Sequence, residues 1–288
     1  MAIRDQWGRC RQVDCQYNPV YGHGLRGRLS SRSDVGMAGS SPMVWRCAPV
    51  RIAEIFHSIQ GEGKLAGVPS VFIRTSGCNL RCSWCDTPYT SWKPEGEEME
   101  IDGILDAVRG VDLESAQRTV WKHVSHVVLT GGEPLIAPGV EELTHRIKDA
   151  GYHLTIETAA TVWKEVVCDL ASLSPKLSNS TPRDRDGGRW AESHDQHRIN
   201  VDTLRRFMAM SEYQLKFVVD EAQDLEEIKA LLVRIGKVDA SNVLLMPQGV
   251  TQAELNERSP WVAELCKQEG FRFCPRLQIA LYGNVRGT

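Results

Sequence analysis

The chain has 288 residues, 42% hydrophobic and 25% charged, with a formal net charge of -3. This is the composition of a soluble globular protein, long enough for one large domain or two small ones. The near-neutral charge gives no argument for a nucleic-acid or membrane partner, and no apolar run approaches the roughly 20 residues that span a bilayer.

The first 42 residues stand apart. They hold six Arg and three Asp among many Gly and Ser, and show no period of 2 or 3.6. Such a stretch cannot bury enough apolar surface to offset its ordering entropy, so a disordered extension is expected over residues 1–49. It has no apolar core of a secretory signal. A start at Met43 would account for it equally well.

From residue 50 the pattern alternates. Residues 50–59 and 70–76 read as strands, 102–110 as a short helix, and 126–130 as a buried strand ending in Gly-Gly. A helix over 139–151 stops at Gly151, and strands follow at 153–158 and 166–175. Residues 201–210 are helical and 213–219 a strand. Residues 221–236 form an amphipathic helix closed by Gly236, and 242–246 a strand. Residues 251–270 read as a helix interrupted near Pro260, and 271–283 as a last strand region. Strands alternating with helices imply parallel pairing with right-handed crossovers. The expectation is an α/β catalytic domain over residues 50–288, a partial, open βα barrel of about six parallel strands. A full eight-fold barrel needs more and longer helices in its typical 250 residues. Ligands of such folds sit at the C-terminal ends of the strands.

Nine cysteines are present, an odd count that argues against a disulfide framework. Cys168, Cys266 and Cys274 stand singly in apolar or mixed stretches and read as small buried hydrophobes. Cys10 and Cys15 fall in the N-terminal extension and carry no metal assignment. Cys78, Cys82 and Cys85 differ: they follow a strand directly, as C-x3-C-x2-C within GCNLRCSWCD. Zinc would require a fourth Cys or His, and the nearest His57 and His123 lack ligand spacing. Three thiolates can instead hold an iron–sulfur cluster that keeps one iron open to another ligand. Downstream, Thr130-Gly131-Gly132-Glu133-Pro134 ends a strand, with glycines that let a ligand approach the backbone closely.

The C-x3-C-x2-C loop with Trp84 before its third cysteine, together with TGGEP, resembles the radical S-adenosylmethionine (SAM) superfamily. The resemblance implies a [4Fe-4S] cluster on Cys78, Cys82 and Cys85, with SAM on the fourth iron. SIQGEG (58–63), FIRTSGCNLRCSWCDTPYTSW (72–92), SPKLSNS (174–180), QLKFVV (214–219), LLMPQG (244–249) and LYGNVRGT (281–288) are similar to the 7-carboxy-7-deazaguanine synthase family. That family implies conversion of 6-carboxy-5,6,7,8-tetrahydropterin to 7-carboxy-7-deazaguanine with loss of ammonia, on the route to queuosine and other 7-deazapurines. SAM then acts as a cofactor in a radical ring contraction.

The same resemblance implies the roles of individual residues. Ile59, Gln60 and Gly61 would meet the pterin, Arg74 its carboxylate, and Thr130 and Thr288 the substrate pocket. Trp84, Cys85, Asp86, Gly132, Ser174, Pro175 and Lys176 would contact SAM, and Met246, Pro247, Gln248 and Gly249 would close over its adenosine. Thr87 would ligate Mg²⁺, a cation that prefers oxygen and keeps several waters. Glu157 and Lys216 are weaker candidates at strand ends. Gln278 stands where the family often has His, and Gln cannot donate a proton to a reaction near neutral pH. A reductase or flavodoxin-type electron donor, a homodimer and a cytoplasmic location are also implied. The rival readings are a radical SAM activase of a glycyl-radical enzyme and a zinc-binding module without catalysis.

Overall fold

The computed structural model describes residues 48–110 and 123–288. The expected disordered extension, with Cys10 and Cys15, lies outside the described residues apart from its last two positions.

The elements in chain order are β1 (Val50–Ile59), β2 (Pro69–Thr75), α1 (Pro88–Ser91), β3 (Glu97–Met99), α2 (Ile101–Val108), β4 (His126–Gly131), α3 (Val140–Asp149), β5 (His153–Thr158), β6 (Leu170–Leu173), α4 (Ala191–His197), α5 (Val201–Met210), β7 (Glu212–Val219), α6 (Asp224–Ile235), β8 (Val243–Pro247), α7 (Gln252–Glu269), β9 (Arg272–Phe273) and α8 (Leu277–Tyr282). The described strands make one sheet in the order β3-β1-β2-β4-β5-β6-β7-β8-β9. From β2 to β9 every neighbouring pair is parallel. The sheet ends at β3 and β9, so it is an open, partial βα barrel as expected, with seven strands in its parallel run.

Four local expectations are corrected. First, β1 runs antiparallel to both β2 and β3, because only a short connection separates β1 from β2 and no crossover helix intervenes. Second, α7 continues through Pro260. The residue is exposed, so the carbonyl it leaves without a partner faces water. A Thr251–Glu254 capping box and a left-handed Gly270 hold the two ends of that helix. Third, the last strand is only two residues long: Pro275 stops it, and residues 277–282 are helical. Leu277, Ile279 and Leu281 alternate as a strand would, but only Ile279 is buried. Fourth, α1, α4 and β3 are short elements beyond those expected from periodicity.

The period of two along each strand decides what faces the site. On β2, Val71 and Ile73 join the main core, whereas Phe72 and Arg74 line the barrel interior. On β7, Leu215, Phe217 and Val219 join the core, whereas Lys216 and Val218 face inward. Phe207 of α5 and Phe217 are fully buried between helices and sheet. Burying a side chain of that size contributes roughly 1.5–3 kcal/mol. Among the described residues no helix is long and apolar enough to cross a membrane.

Candidate active site

The cysteine loop leaves the C-terminal end of β2 and closes at Pro88, the first residue of α1. Gly77, at φ 106°, turns the chain, and its amide donates to Thr90 O at 2.8 Å. Leu80 N donates to Cys78 Sγ at 3.3 Å, and Trp92 Nε1 to Cys82 O at 3.0 Å. The Cys85 thiol lies 3.2 Å from Ser91 Oγ. Burial pushes the Cys78 thiol up to about 12, against the lowering effect of the Leu80 amide. Burial does the same to Cys82, opposed by the Lys176 charge. Both thiols therefore stay protonated near neutral pH unless a metal displaces the proton.

The glycine pair at the end of β4 lies against this loop. Gly132 N donates to Thr75 O at 3.2 Å, and Glu133 N to Gly77 O at 2.9 Å. A Cβ on Gly132 would stand 2.1 Å from Gly77 O, so only glycine lets the two segments approach this closely. Glu133 points away from the cavity. Its buried carboxylate accepts from Leu135 N at 3.1 Å, Thr158 Oγ1 at 2.6 Å and Ala159 N at 2.9 Å. It thus ties the end of β4 to β5 and holds the glycine edge in place.

These two segments form one wall of a cavity of about 350 Å³. Cys78, Cys82 and Cys85 line it beside Trp84, Asp86, Thr87, Thr130 and Gly132. Ile59, Gln60, Gly61 and Arg74 line it from β1 and β2, Ser174 and Lys176 from beyond β6, Met246 and Gln248 from β8, and Thr288 from the C-terminal segment. Three expected residues stand behind the wall. Pro175 and Pro247 are buried, and Gly249 turns away at φ 152° and offers its carbonyl to Arg276. Lys176 Nζ donates to Ser174 Oγ at 2.8 Å and sits 5.7 Å above the Trp84 ring. Arg74 Nε donates to Glu54 at 2.6 Å, so an internal ion pair engages that edge. Its two terminal nitrogens donate to no described protein group and remain available to a ligand. Glu54 also accepts from Tyr89 OH at 2.7 Å and from Arg286 Nε at 3.1 Å, which ties the C-terminal segment to β1.

The opposite wall is a buried ion cluster. Lys216 Nζ donates to Glu62 and lies 3.9 Å from Glu157. Glu62 also accepts from Arg276 Nε at 3.2 Å and Gln278 Nε2 at 2.8 Å. Arg276 reaches Asp86 at 2.5 Å, linking this wall to the cysteine loop. Glu157 accepts from Gln60 Nε2 and Thr130 Oγ1, each at 3.2 Å. Burial alone would raise the Glu62 carboxyl, but the Lys216 and Arg276 charges hold it well below the usual carboxylate range. Burial alone would lower Lys216, but Glu157 and Glu62 raise it. Glu62 and Arg276 are absent from the sequence-based candidates. Glu62 lies within SIQGEG, where a charge between two glycines was the available signal. Arg276 sits in what reads as a strand, and nothing local marks it. The Gln278 carboxamide packs on Gly61, where a Cβ would come within 1.7 Å of its oxygen.

Residues 72–178 match the radical SAM superfamily. The chain is 48% identical over 238 residues to 7-carboxy-7-deazaguanine synthase of Rhodopirellula baltica, covering 82% of this chain and 88% of the relative. The chain belongs to the 7-carboxy-7-deazaguanine synthase family. The family member of Halobacterium salinarum is 44% identical over 246 residues, covering 82% of this chain and 92% of the relative. The crystal structure of QueE from Escherichia coli superposes with a TM-score of 0.56 at 26% identity, over 78% of this chain and 93% of that one. Radical SAM membership implies an iron–sulfur cluster and SAM, and the cysteine loop fits such a group. Among the described residues no three His, Cys, Asp or Glu side chains converge on a single ion. A cluster would not need that convergence, because Cys78, Cys82 and Cys85 would each hold a different iron. Cys78, Cys82 and Cys85 nonetheless face one cavity.

Proposed function

We propose that this protein converts 6-carboxy-5,6,7,8-tetrahydropterin to 7-carboxy-7-deazaguanine with loss of ammonia, a carbon–nitrogen lyase reaction on the route to queuosine and other 7-deazapurines. The observation that carries the reading is the union of two unlike walls in one cavity: three thiols and a glycine edge on one side, a buried ion cluster on the other. When bound, the [4Fe-4S] cluster and SAM would supply one-electron chemistry that removes a hydrogen atom from carbon. The protein binds, orients and excludes water.

Cys78, Cys82 and Cys85 hold the cluster in this reading. Trp84, Asp86, Gly132, Ser174 and Lys176 hold SAM, with Met246 and Gln248 across the cavity, and Pro175, Pro247 and Gly249 shape the backbone behind them. The Arg74 terminal nitrogens pair with the substrate carboxylate. Ile59, Gln60, Gly61, Thr130 and Thr288 contour the pocket around the ring. Glu62 and Glu157 are acceptor-only groups and suit the N–H-rich pyrimidine edge of a pterin. Thr87 offers a hydroxyl for Mg²⁺ from the cavity lining. The reading also includes a reductase or flavodoxin-type electron donor, a homodimer, a cytoplasmic location, and an N-terminal stretch, residues 1–49, outside the catalytic domain.

Iron and sulfide analysis of anaerobically reconstituted protein tests the cluster. About four of each per chain are expected, lost in Cys82→Ala. One zinc per chain without iron would overturn the reading in favour of a zinc module.

A further inference from the structure

The connection between β6 and β7 does more than join two strands. It crosses the outer side of the cysteine loop and bonds to the backbone between the cysteines. Arg81 N donates to His194 Nδ1 at 3.1 Å. Ser83 N donates to Ser180 O at 2.8 Å, and Arg185 Nη1 to Ser83 O at 2.9 Å. Ser83 Oγ and Trp84 Nε1 donate to Asn179, each at 3.3 Å. Two cation–π contacts run across the same seam: Arg185 lies 4.0 Å from the Trp92 ring centre, and Arg81 5.0 Å from that of Trp190. The connection is itself anchored to the barrel, through Asn179 Nδ2 to Asp224 at 2.8 Å and Arg198 to Glu227 at 2.6 Å.

The hydrogen bonds around His194 define its state. Ser180 Oγ donates to Leu177 O at 2.6 Å, so its lone pair accepts from His194 Nε2–H at 2.9 Å. Nδ1 is then bare and accepts the Arg81 amide. A neutral imidazole of one tautomer, in a side chain only 1% exposed, thus connects the barrel to the amide next to Cys82.

We propose that residues 178–198 are a clasp that fixes the cysteine loop for cluster retention, with His194 as its positioning residue. The proposal rests on the reading of Cys78, Cys82 and Cys85 as cluster ligands. Partners behind the ligands of a metal site commonly change its affinity by about 10–100-fold. The clasp reaches the loop only through the backbone and flanks of the ligands, so the lower end of that range applies.

The test follows the loss of iron–sulfur absorbance when a chelator is added to the reconstituted full-length protein under anaerobic conditions. His194→Leu removes the acceptor but keeps bulk, and should lose iron about 10-fold faster than the native chain. His194→Asn places an oxygen near the Nδ1 position and should return to within about threefold of native. Leu154→Ala, buried near the N-terminal end of β5 and so at the opposite end of the sheet from the loop, serves as a control: it lowers thermal stability and should leave the rate of iron loss unchanged. Arg185→Ala removes one hydrogen bond on the partly exposed side of the clasp and should lose iron about threefold faster. The clasp is overturned if iron loss from His194→Leu and Arg185→Ala matches native, if Asn restores nothing, or if the control accelerates equally. Failure of the native chain to take up iron would instead remove the cluster reading, and the clasp with it.

Discussion

Replacing Lys216 by Met removes the cation at the centre of the buried ion cluster. Lys216 is 6% exposed and faces Glu62 and Glu157. Arg276 and Gln278 still compensate Glu62 in the variant, whereas Glu157 keeps only neutral donors, Gln60 and Thr130. Removing one partner of a buried ion pair costs about 3–5 kcal/mol. An exposed lysine replaced in the same way would change stability by about 0.5 kcal/mol or less. At about 2–4 °C per kcal/mol for a domain of this size, the midpoint should fall by about 6–20 °C. Thermal denaturation of iron-free protein measures the effect without a contribution from bound cofactors. Adding Glu157→Gln to Lys216→Met neutralises the orphaned side and should recover about half the loss, a coupling expected of residues that face one another. A midpoint within about 2 °C of native, or no recovery in the double variant, would refute the idea that this wall is held by charge pairing.

Three more outcomes are expected. Burial holds His126 and His194 down to about 4, from an ordinary 6.5. Because the folded chain resists charging them, their contribution is complete above pH 6.5 and is lost as pH falls towards 4, so the midpoint should drop across that window; a midpoint that rises there would contradict it. Gly132→Ala drives a Cβ to within 2.1 Å of Gly77 O, and should cost about 1–3 kcal/mol by denaturant unfolding while reducing iron retention. Thr251→Ala breaks the capping box of α7 and should lower stability by about 1 kcal/mol with turnover unchanged.

Much of the barrel was legible because its strands are short apolar runs closed by glycine and its helices are amphipathic. The sequence was least informative where local and tertiary preferences disagree. Pro260 reads as a break, yet an exposed proline inside a helix capped at both ends is tolerated. The alternation of Leu277, Ile279 and Leu281 reads as a strand, yet β8, the strand it would pair with, ends at Pro247, only two residues past the partner of Phe273. The cysteines and glycines were legible because their chemistry depends on local spacing. Glu62, Arg276 and His194 were not, because their meaning lies in partners about 150, 190 and 110 residues away, at Lys216, Asp86 and Arg81. No periodicity records such pairings. Arg74 lies between these cases: its position at the cavity was legible, but its ion pair with Glu54 required the antiparallel β1–β2 register.

The central claim is that the three-cysteine loop and the ion cluster serve one pterin-contracting site. The most direct measurement is anaerobic turnover by reconstituted protein supplied with 6-carboxy-5,6,7,8-tetrahydropterin, SAM and a strong reductant, with product, ammonia and remaining SAM quantified together. The expected result is 7-carboxy-7-deazaguanine and ammonia in equal amounts, SAM largely conserved, and no product from Cys82→Ala. SAM consumption in step with turnover, or pterin left unchanged by iron-loaded native protein, would contradict it.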